Sequence, residues 1–173
     1  MTSAQSVLAG MAATAEMLRS IAPMAATKTV ATPRTGTTTL AADPDLQLIL
    51  APNATYLYIA AIFYSYAGTA GNGDMQLAWQ LPSGGSMSAS LLHYGNTGAT
   101  QNTLNLDYVS ASASNECYGA TTAGGDRCAL ATGTVYSGGN GGIFAAEWAQ
   151  HASDVSNATS VMAGSVLAAW QIT

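Results

Sequence analysis

The chain has 173 residues, of which 49% are hydrophobic and only 8% are charged, and its net charge is -5. This length suits one domain with a single core, and the apolar content argues against intrinsic disorder. With only four Lys and Arg residues, the chain lacks the basic patch that nucleic acid or an anionic membrane surface requires. No apolar run is long enough to cross a bilayer.

The N-terminal segment predicts a short amphipathic helix from about Ser3 to Ser20, ended by Pro23. Glu16 and Arg19 interrupt its apolar stretch and no basic region precedes it, which argues against a secretory signal. Two interpretations stay open: the helix packs on its own domain or trails as a tail, or it is a detached anchor that docks on a partner. The candidate anchor side chains are the apolar residues Val7, Leu8, Met11, Leu18 and Ile21.

A Thr-rich stretch from Ala26 to Thr39 separates this helix from the first convincing strand. We therefore expect residues 1–37 to form a helix and an extended arm, and residues 38–173 to form the folded domain.

Strand and turn patterns alternate through the rest of the chain, with Gly-rich and Pro-containing turns between apolar runs. The predicted strands are Leu46–Leu50, Thr55–Tyr66, Met75–Leu81, Ser86–Tyr94, Leu104–Tyr108, Cys128–Tyr136, Ile143–Gln150 and Thr159–Ile172. So many short strands at this spacing predict an all-β fold, an antiparallel β-sandwich or jelly roll.

Two of these strands are apolar on both faces, although a strand buried on one side alternates apolar with polar residues. In Thr55–Tyr66 we expect Leu57, Ile59, Ala61 and Phe63 to face the core, which leaves a tyrosine-rich face to be covered. The cover is either another subunit or the N-terminal helix or a long loop, and we favour a subunit because aromatic residues are enriched in interface cores. The candidate interface residues are Tyr56, Tyr58, Tyr64, Tyr66, Met162, Val166 and Trp170.

Cys117 and Cys128 bracket a short Gly-rich loop. They form either a disulfide or two free thiols, because the segment holds no His for a metal site and no CxxC motif for redox chemistry.

No motif for enzyme chemistry is present: GxSxG, HExxH, GxxxxGK[ST] and EF-hand spacing are all absent. His93 and His151 are interpreted as ordinary strand-end or surface residues. We therefore expect no enzyme, no cofactor and no metal.

Several motifs together resemble a group of phage virion proteins that occur as head decoration proteins, head fibres and minor tail proteins. An LxxDPDLxLxLxxNxxY opening runs from Leu40 to Tyr56, and an acidic turn at Gly73–Asp74 leads to Pro82–Ser83–Gly84. A WAQxxS segment spans Trp148–Ser153, and a TxVxAGSxL segment spans Thr159–Leu167. The likeness extends from about Thr38 to Thr173, but the cysteine loop and the final AAWQIT depart from the family pattern.

The resemblance implies a jelly roll of the tumour-necrosis-factor or complement-globular type that assembles as a homotrimer. It also implies a virion location, with the major capsid protein as partner for a decoration protein that reinforces the outer capsid surface. The alternative is a tail or head-fibre protein whose loops bind host surface glycans, with Tyr94, Tyr118 and Tyr136 as candidate stacking residues.

Overall fold

A computed structural model of the chain describes residues 22–68, 74–97, 100–110, 115–117 and 126–173, with the description limited to the backbone for 95–97, 100–103 and 115–117. Within these residues all regular structure is β-strand and every strand pairing is antiparallel, which confirms the all-β prediction. The helix predicted for Ser3 to Ser20 lies outside the described residues.

The strands are β1 (Met24–Thr27), β2 (Thr32–Arg34), β3 (Ala41–Leu50), β4 (Thr55–Tyr66), β5 (Met75–Gln80), β6 (Ser86–Thr97), β7 (Thr100–Ser110), β8 (Asn115–Cys117), β9 (Arg127–Tyr136), β10 (Gly142–Gln150), β11 (Thr159–Val161) and β12 (Val166–Gln171).

These strands form two sheets. The large sheet has eight strands in the order β1-β12-β4-β9-β6-β7, with β11 paired to β4 and β2 paired to β11. The small sheet has four strands in the order β3-β10-β5-β8. β1 and β12 are neighbours, so the beginning and the end of the described chain lie together on one side of the large sheet.

The two sheets pack face to face over a core drawn from both. The Tyr58 ring, in the large sheet, meets Trp79 and Phe144, in the small sheet, edge to face at centroid distances of 5.2 and 5.0 Å. Trp79 and Phe144 stack on each other at 5.4 Å. Aromatic contacts of this kind add to the stabilisation from burial, and they establish a β-sandwich.

The tyrosine-rich face of β4 points into this core, so the predicted assignment of the two faces is wrong. Tyr56, Tyr58, Tyr64 and Tyr66 are at most 2% exposed, whereas Leu57 is 44% exposed on the opposite side. The rings add apolar area to the core, and the hydroxyls of Tyr56 and Tyr66 find hydrogen-bond partners there. The Tyr56 hydroxyl accepts a hydrogen bond from the Ala51 amide at 2.9 Å.

Residues expected to form an extended arm are part of the large sheet. β1 pairs with β12, and β2 pairs with β11. Each is short, which is why the Thr-rich composition did not indicate a strand.

The predicted strand Thr159–Ile172 is two strands separated by a turn. Gly164 has φ of +88°, a left-handed conformation that favours glycine. The Ser165 hydroxyl donates to the Met162 carbonyl at 2.8 Å and closes the turn. Two backbone hydrogen bonds of 2.8 Å, from Lys28 N–H to Ser165 O and from Gly164 N–H to Lys28 O, fix Lys28 against it.

Candidate interaction surface

The outward side of the large sheet carries a row of apolar side chains that crosses five strands. From β12 through β4, β9 and β6 to β7, the strand register gives the row Val166, Ala61, Leu130, Leu92 and Leu106. Neighbouring strands lie about 4.8 Å apart, so the row is about 19 Å long. Leu106 is 70% exposed at its far end.

Further large apolar residues flank this row on the same side of the sheet. Together with the row they form a surface that we call the apolar face: Val166, Ala61, Leu130, Leu92, Leu106, Leu57, Ile59, Phe63, Leu104, Tyr108 and Trp170. Apolar patches of several hundred Å² on a soluble protein usually mark an interaction site.

The positions between these apolar residues are hydroxyl-bearing or small, and none is charged. The next row in register is Ala168, Ile59, Thr132, Ser90 and Tyr108. The row after it is Trp170, Leu57, Thr134, Ser88 and Ser110. The Ser88 and Tyr108 hydroxyls lie 3.1 Å apart. Because no salt bridge can form across these rows, the face suits an apolar partner surface better than a charged one.

Three of the sequence-predicted interface residues lie on this outward side and are half-buried. Trp170 is opposite Leu57 and Val166 is opposite Ala61 in the register of β12 with β4. Met162 donates its backbone N–H to the Phe63 carbonyl at 2.7 Å. The four tyrosines predicted with them are in the core and have no surface to offer a partner.

The remaining residues of the apolar face were not selected from the sequence. Leu104, Leu106 and Tyr108 alternate with Asn105 and Asp107, which is typical of a strand buried on one side. Here the polar side is the inner one, at an end of the sandwich where His93 is 2% exposed and its Nε2 lies 2.7 Å from Asp107 Oδ2. The alternation therefore indicated a strand but not which side was buried.

The other predicted residues are placed as follows. The anchor residues Val7, Leu8, Met11, Leu18 and Ile21 lie outside the described residues. Cys128 is half-buried, and burial raises the pKa of its thiol group. Only the backbone of Cys117 is described, so its pairing with Cys128 stays a prediction.

The tyrosines proposed for glycan stacking do not form one cluster. Tyr136 lies opposite Ser86, at the start of β6, whereas Tyr94 lies near its other end, about 27 Å away at the rise of a strand. The Arg127 guanidinium is 4.9 Å from the Tyr94 ring centroid. Tyr118 lies outside the described residues.

A second feature, which the sequence did not indicate, is a buried charge cluster at the edge of the sandwich. Lys28 is 1% exposed and its Nζ contacts Asp43 Oδ1 at 3.0 Å and Asp45 Oδ2 at 2.9 Å. Trp148 Nε1 donates to Asp43 Oδ2 at 3.0 Å. These residues were missed because the ADPD segment resembles a turn, although it lies within β3.

Arg34 covers the cluster from one side. Its guanidinium lies 3.9 Å from the Trp148 ring centroid and donates to the carbonyl oxygens of Trp148 and Ala41. Burial lowers the Arg34 pKa, and the nearby Asp43 charge opposes that shift.

Among the described residues, no group of His, Cys, Asp and Glu has the arrangement of a metal site. The same part of the chain contains no helix with the length and hydropathy needed to cross a membrane.

No family model and no curated protein matches the chain. A solved structure titled "Structure of infectious bursal disease virus Gx strain" matches with 12% sequence identity and a TM-score of 0.22. The match covers 88% of this chain, which spans only 36% of the length of that one. A TM-score this low carries no argument about fold or function.

Proposed function

We propose that the protein is a bacteriophage virion structural protein, a capsid decoration protein that trimerises on the outer capsid surface and reinforces it. The observation that carries this proposal is the uncharged apolar face of the large sheet. Burying it against copies of the chain removes its apolar side chains from water, which is the main driving force of association. The low overall charge and the motifs shared with phage virion proteins support the same conclusion.

The strand order supports a jelly roll as the fold. Without β2, β11 and the β6–β7 hairpin, eight strands remain, and in chain order the large sheet reads 1-8-3-6 and the small sheet reads 2-7-4-5. This arrangement places the first strand beside the last and joins the sheets by repeated crossings, as two Greek keys do. The hairpin then widens the large sheet, and with it the apolar face.

The N-terminal segment is the proposed capsid anchor. β1 begins at Met24 on the edge of the large sheet, next to β12, so residues 1–21 enter the domain at that edge. Val7, Leu8, Met11, Leu18 and Ile21 would dock on the major capsid protein, and each trimer would then hold several capsid subunits together against internal DNA pressure.

The alternative is a minor tail or head-fibre protein that binds host surface glycans. One observation favours it: a shallow depression of about 210 Å³ on the same side of the large sheet is lined by Ser88, Ser90, Tyr108 and Thr132. Tyr108 is 72% exposed, and an aromatic ring beside hydroxyl groups suits a sugar. Because the depression overlaps the apolar face, trimerisation and glycan binding would compete for one surface.

The oligomeric state in solution tests the main proposal. We expect the wild type to have the mass of a trimer at micromolar concentration by sedimentation or light scattering. Leu130→Glu, which places a charge in the middle of the apolar row, should give a monomer. Ile49→Glu is the matched control, because Ile49 is 79% exposed on the small sheet, and it should stay trimeric. A monomeric wild type would contradict the proposal.

Capsid binding tests the anchor. A chain that starts at Ala22 keeps β1 and Lys28, so it should still trimerise but should no longer co-sediment with empty capsids. Unchanged co-sedimentation would show that residues 1–21 are not the anchor. Glycan binding by a monomeric wild type, lost in Tyr108→Ala, would favour the alternative.

A further inference from the structure

Lys28 is the only lysine in the chain, and it is buried. Lysine is among the residues that are least often buried, because its ammonium is strongly hydrated. Both the Lys28 and Asp43 side chains have no solvent exposure, while Asp45 is 45% exposed. The single lysine of the chain therefore lies against two carboxylates, an arrangement that can support a reaction between these side chains as well as packing.

The two carboxylate oxygens of Asp43 have different hydrogen-bond partners. Oδ2 accepts a hydrogen bond from Trp148 Nε1 at 3.0 Å. Oδ1 faces Lys28 Nζ at 3.0 Å and also accepts the Asp45 backbone N–H at 3.0 Å. Asp45 Oδ2, at 2.9 Å from the same Nζ, is a second carboxylate within proton-transfer distance of the amine.

We propose that Lys28 and Asp43 condense to an isopeptide bond between Nζ and the side-chain carboxyl carbon Cγ, with Asp45 as the catalytic proton acceptor and donor. The reaction converts an ammonium and a carboxylate into an uncharged amide and one water molecule. It is neither an oxidation nor a reduction and needs no co-reactant.

The steps balance within these residues. The Lys28 ammonium gives one proton to Asp45, which passes it to Oδ1 of Asp43. The neutral amine then attacks Cγ of the neutral Asp43 carboxyl group with its lone pair. Charge develops on Oδ2, where the Trp148 N–H lies. In all, two of the three ammonium protons reach Oδ1 through Asp45, the Cγ–Oδ1 bond breaks with its electron pair on oxygen, and water leaves. Asp45 returns to its starting state, and one N–H remains on the amide.

Two physical effects favour this reaction over a permanent ion pair. Reacting groups held at contact distance in a fixed orientation have effective concentrations of about 10⁵ M or more. Burying two charges also carries a desolvation penalty that their attraction does not always offset. The amide removes both charges and keeps the hydrogen bond from Trp148.

The bond would join the end of β1, in the large sheet, to β3, in the small sheet. It would therefore close the loop that contains β2 and clamp the two sheets together where residues 1–21 enter the domain. This inference is independent of the proposed capsid role, since the bond would form whether or not the protein trimerises.

The mass of the full-length protein, measured after denaturation, tests the inference. We expect the wild type to be lighter than its sequence by one water molecule, and Lys28→Arg to have its full sequence mass. A protease digest should contain a branched peptide that joins Lys28 to Asp43. A folded wild type with full mass, or a loss of water without that branched peptide, would overturn the inference.

Amine labelling gives a second readout. Because Lys28 is the only lysine, the denatured wild type should take up as many amine labels as Lys28→Arg if Nζ is in an amide. One additional label on the wild type would contradict the bond.

Two variants separate the roles of the carboxylates. Asp45→Asn keeps both bonding residues and should retain the full sequence mass, which identifies Asp45 as the proton carrier. Asp43→Asn should close the same bond with loss of ammonia, giving a product of the same mass as the wild type. Complete cross-linking in Asp45→Asn would overturn the catalytic role of Asp45.

Discussion

The outer sides of the two sheets differ sharply although both belong to one sandwich. Apart from the exposed pair Ile49 and Ile143, the small sheet turns mainly polar side chains outward, including Gln47, Gln76, Gln80 and Glu147. The central rows of the large sheet carry apolar and hydroxyl-bearing residues and no charge. An antiparallel sheet with one solvated side alternates apolar with polar residues. The small sheet follows this pattern more closely than the large sheet, whose outward side supports the proposed association.

Replacing residues on opposite sides of β4 should give the largest difference in stability. Ile62 is fully buried between the sheets, whereas Ile59 is 38% exposed on the apolar face. Ile62→Ala should lower the free energy of unfolding by about 2–5 kcal/mol, measured by urea denaturation. A loss that depends on protein concentration would mean that Ile62 contributes to association as well as to the core.

Loss of an indole N–H should lower the free energy of unfolding more at the buried charge cluster than on the apolar face. Trp148→Phe removes the donor to Asp43 Oδ2 and should cost about 1–3 kcal/mol, the penalty for a buried polar group left without its partner. Trp170→Phe, at the half-buried surface, is the control and should cost much less. Equal shifts in the urea midpoints would show that the hydrogen bond to Asp43 contributes little.

The dependence of stability on protein concentration should differ between substitutions on the outer sides of the two sheets. Ile59→Ala and Ile143→Ala remove the same atoms from residues of similar exposure, 38% and 42%, on the large and small sheets. If the apolar face forms the proposed trimer interface, Ile59→Ala should cost about 1 kcal/mol more at concentrations where the trimer forms than at lower ones, because trimerisation would bury the exposed part of the side chain. Ile143→Ala should show no such dependence. Identical behaviour of the two variants would remove the distinction between the surfaces.

The smallest effect on stability is expected at the rim of the sandwich, where Tyr66 of the large sheet contacts Asp154 in the loop between β10 and β11. The Tyr66 hydroxyl donates to Asp154 Oδ2 at 2.5 Å. This bond, with further donors on Asn157 and Ser156, holds the pKa of Asp154 well below its usual value. Because the pKa is lower in the folded state, the contribution to stability is present above about pH 4 and is lost as the pH falls further.

Asp154→Asn should therefore flatten the acid limb of the stability curve, measured by thermal unfolding between about pH 2 and 7. On the alkaline side, burial and then the bond to Asp154 raise the pKa of Tyr66 to about 12. Stability from the protonated Tyr66 is thus present below about pH 10 and declines as the pH rises towards 12. In Asp154→Asn, phenolate absorbance should appear at lower pH, and an unchanged titration would contradict this coupling.

The sequence predicted the strands far better than it predicted their sides. Thr55–Tyr66 has the bounds of β4, and the alternation of Met75 to Leu81 predicted β5. Alternation fixes a period of two but does not show which side is buried in the core when both sides are apolar. The tyrosines of β4 were therefore assigned to a subunit interface. Their burial depends on partners such as Ala51 and Asp154, which lie in other segments.

The buried charge cluster could not be predicted from the sequence, for a related reason. Lys28 and Asp43 are separated by 15 positions, and Trp148 joins them only through the pairing of β10 with β3. Each residue has an ordinary local context. The one signal available was that the chain has a single lysine.

The short strand β1 also has a consequence for how the domain avoids unwanted association. Its four residues cover the open edge of β12, whose Ala168 and Ala169 would otherwise present unpaired backbone groups. An uncovered edge of small, uncharged residues is a template for strand addition by another chain and hence for aggregation. Truncation into Met24–Thr27 is therefore expected to promote aggregation, whereas a deletion that ends before Met24 leaves this strand in place.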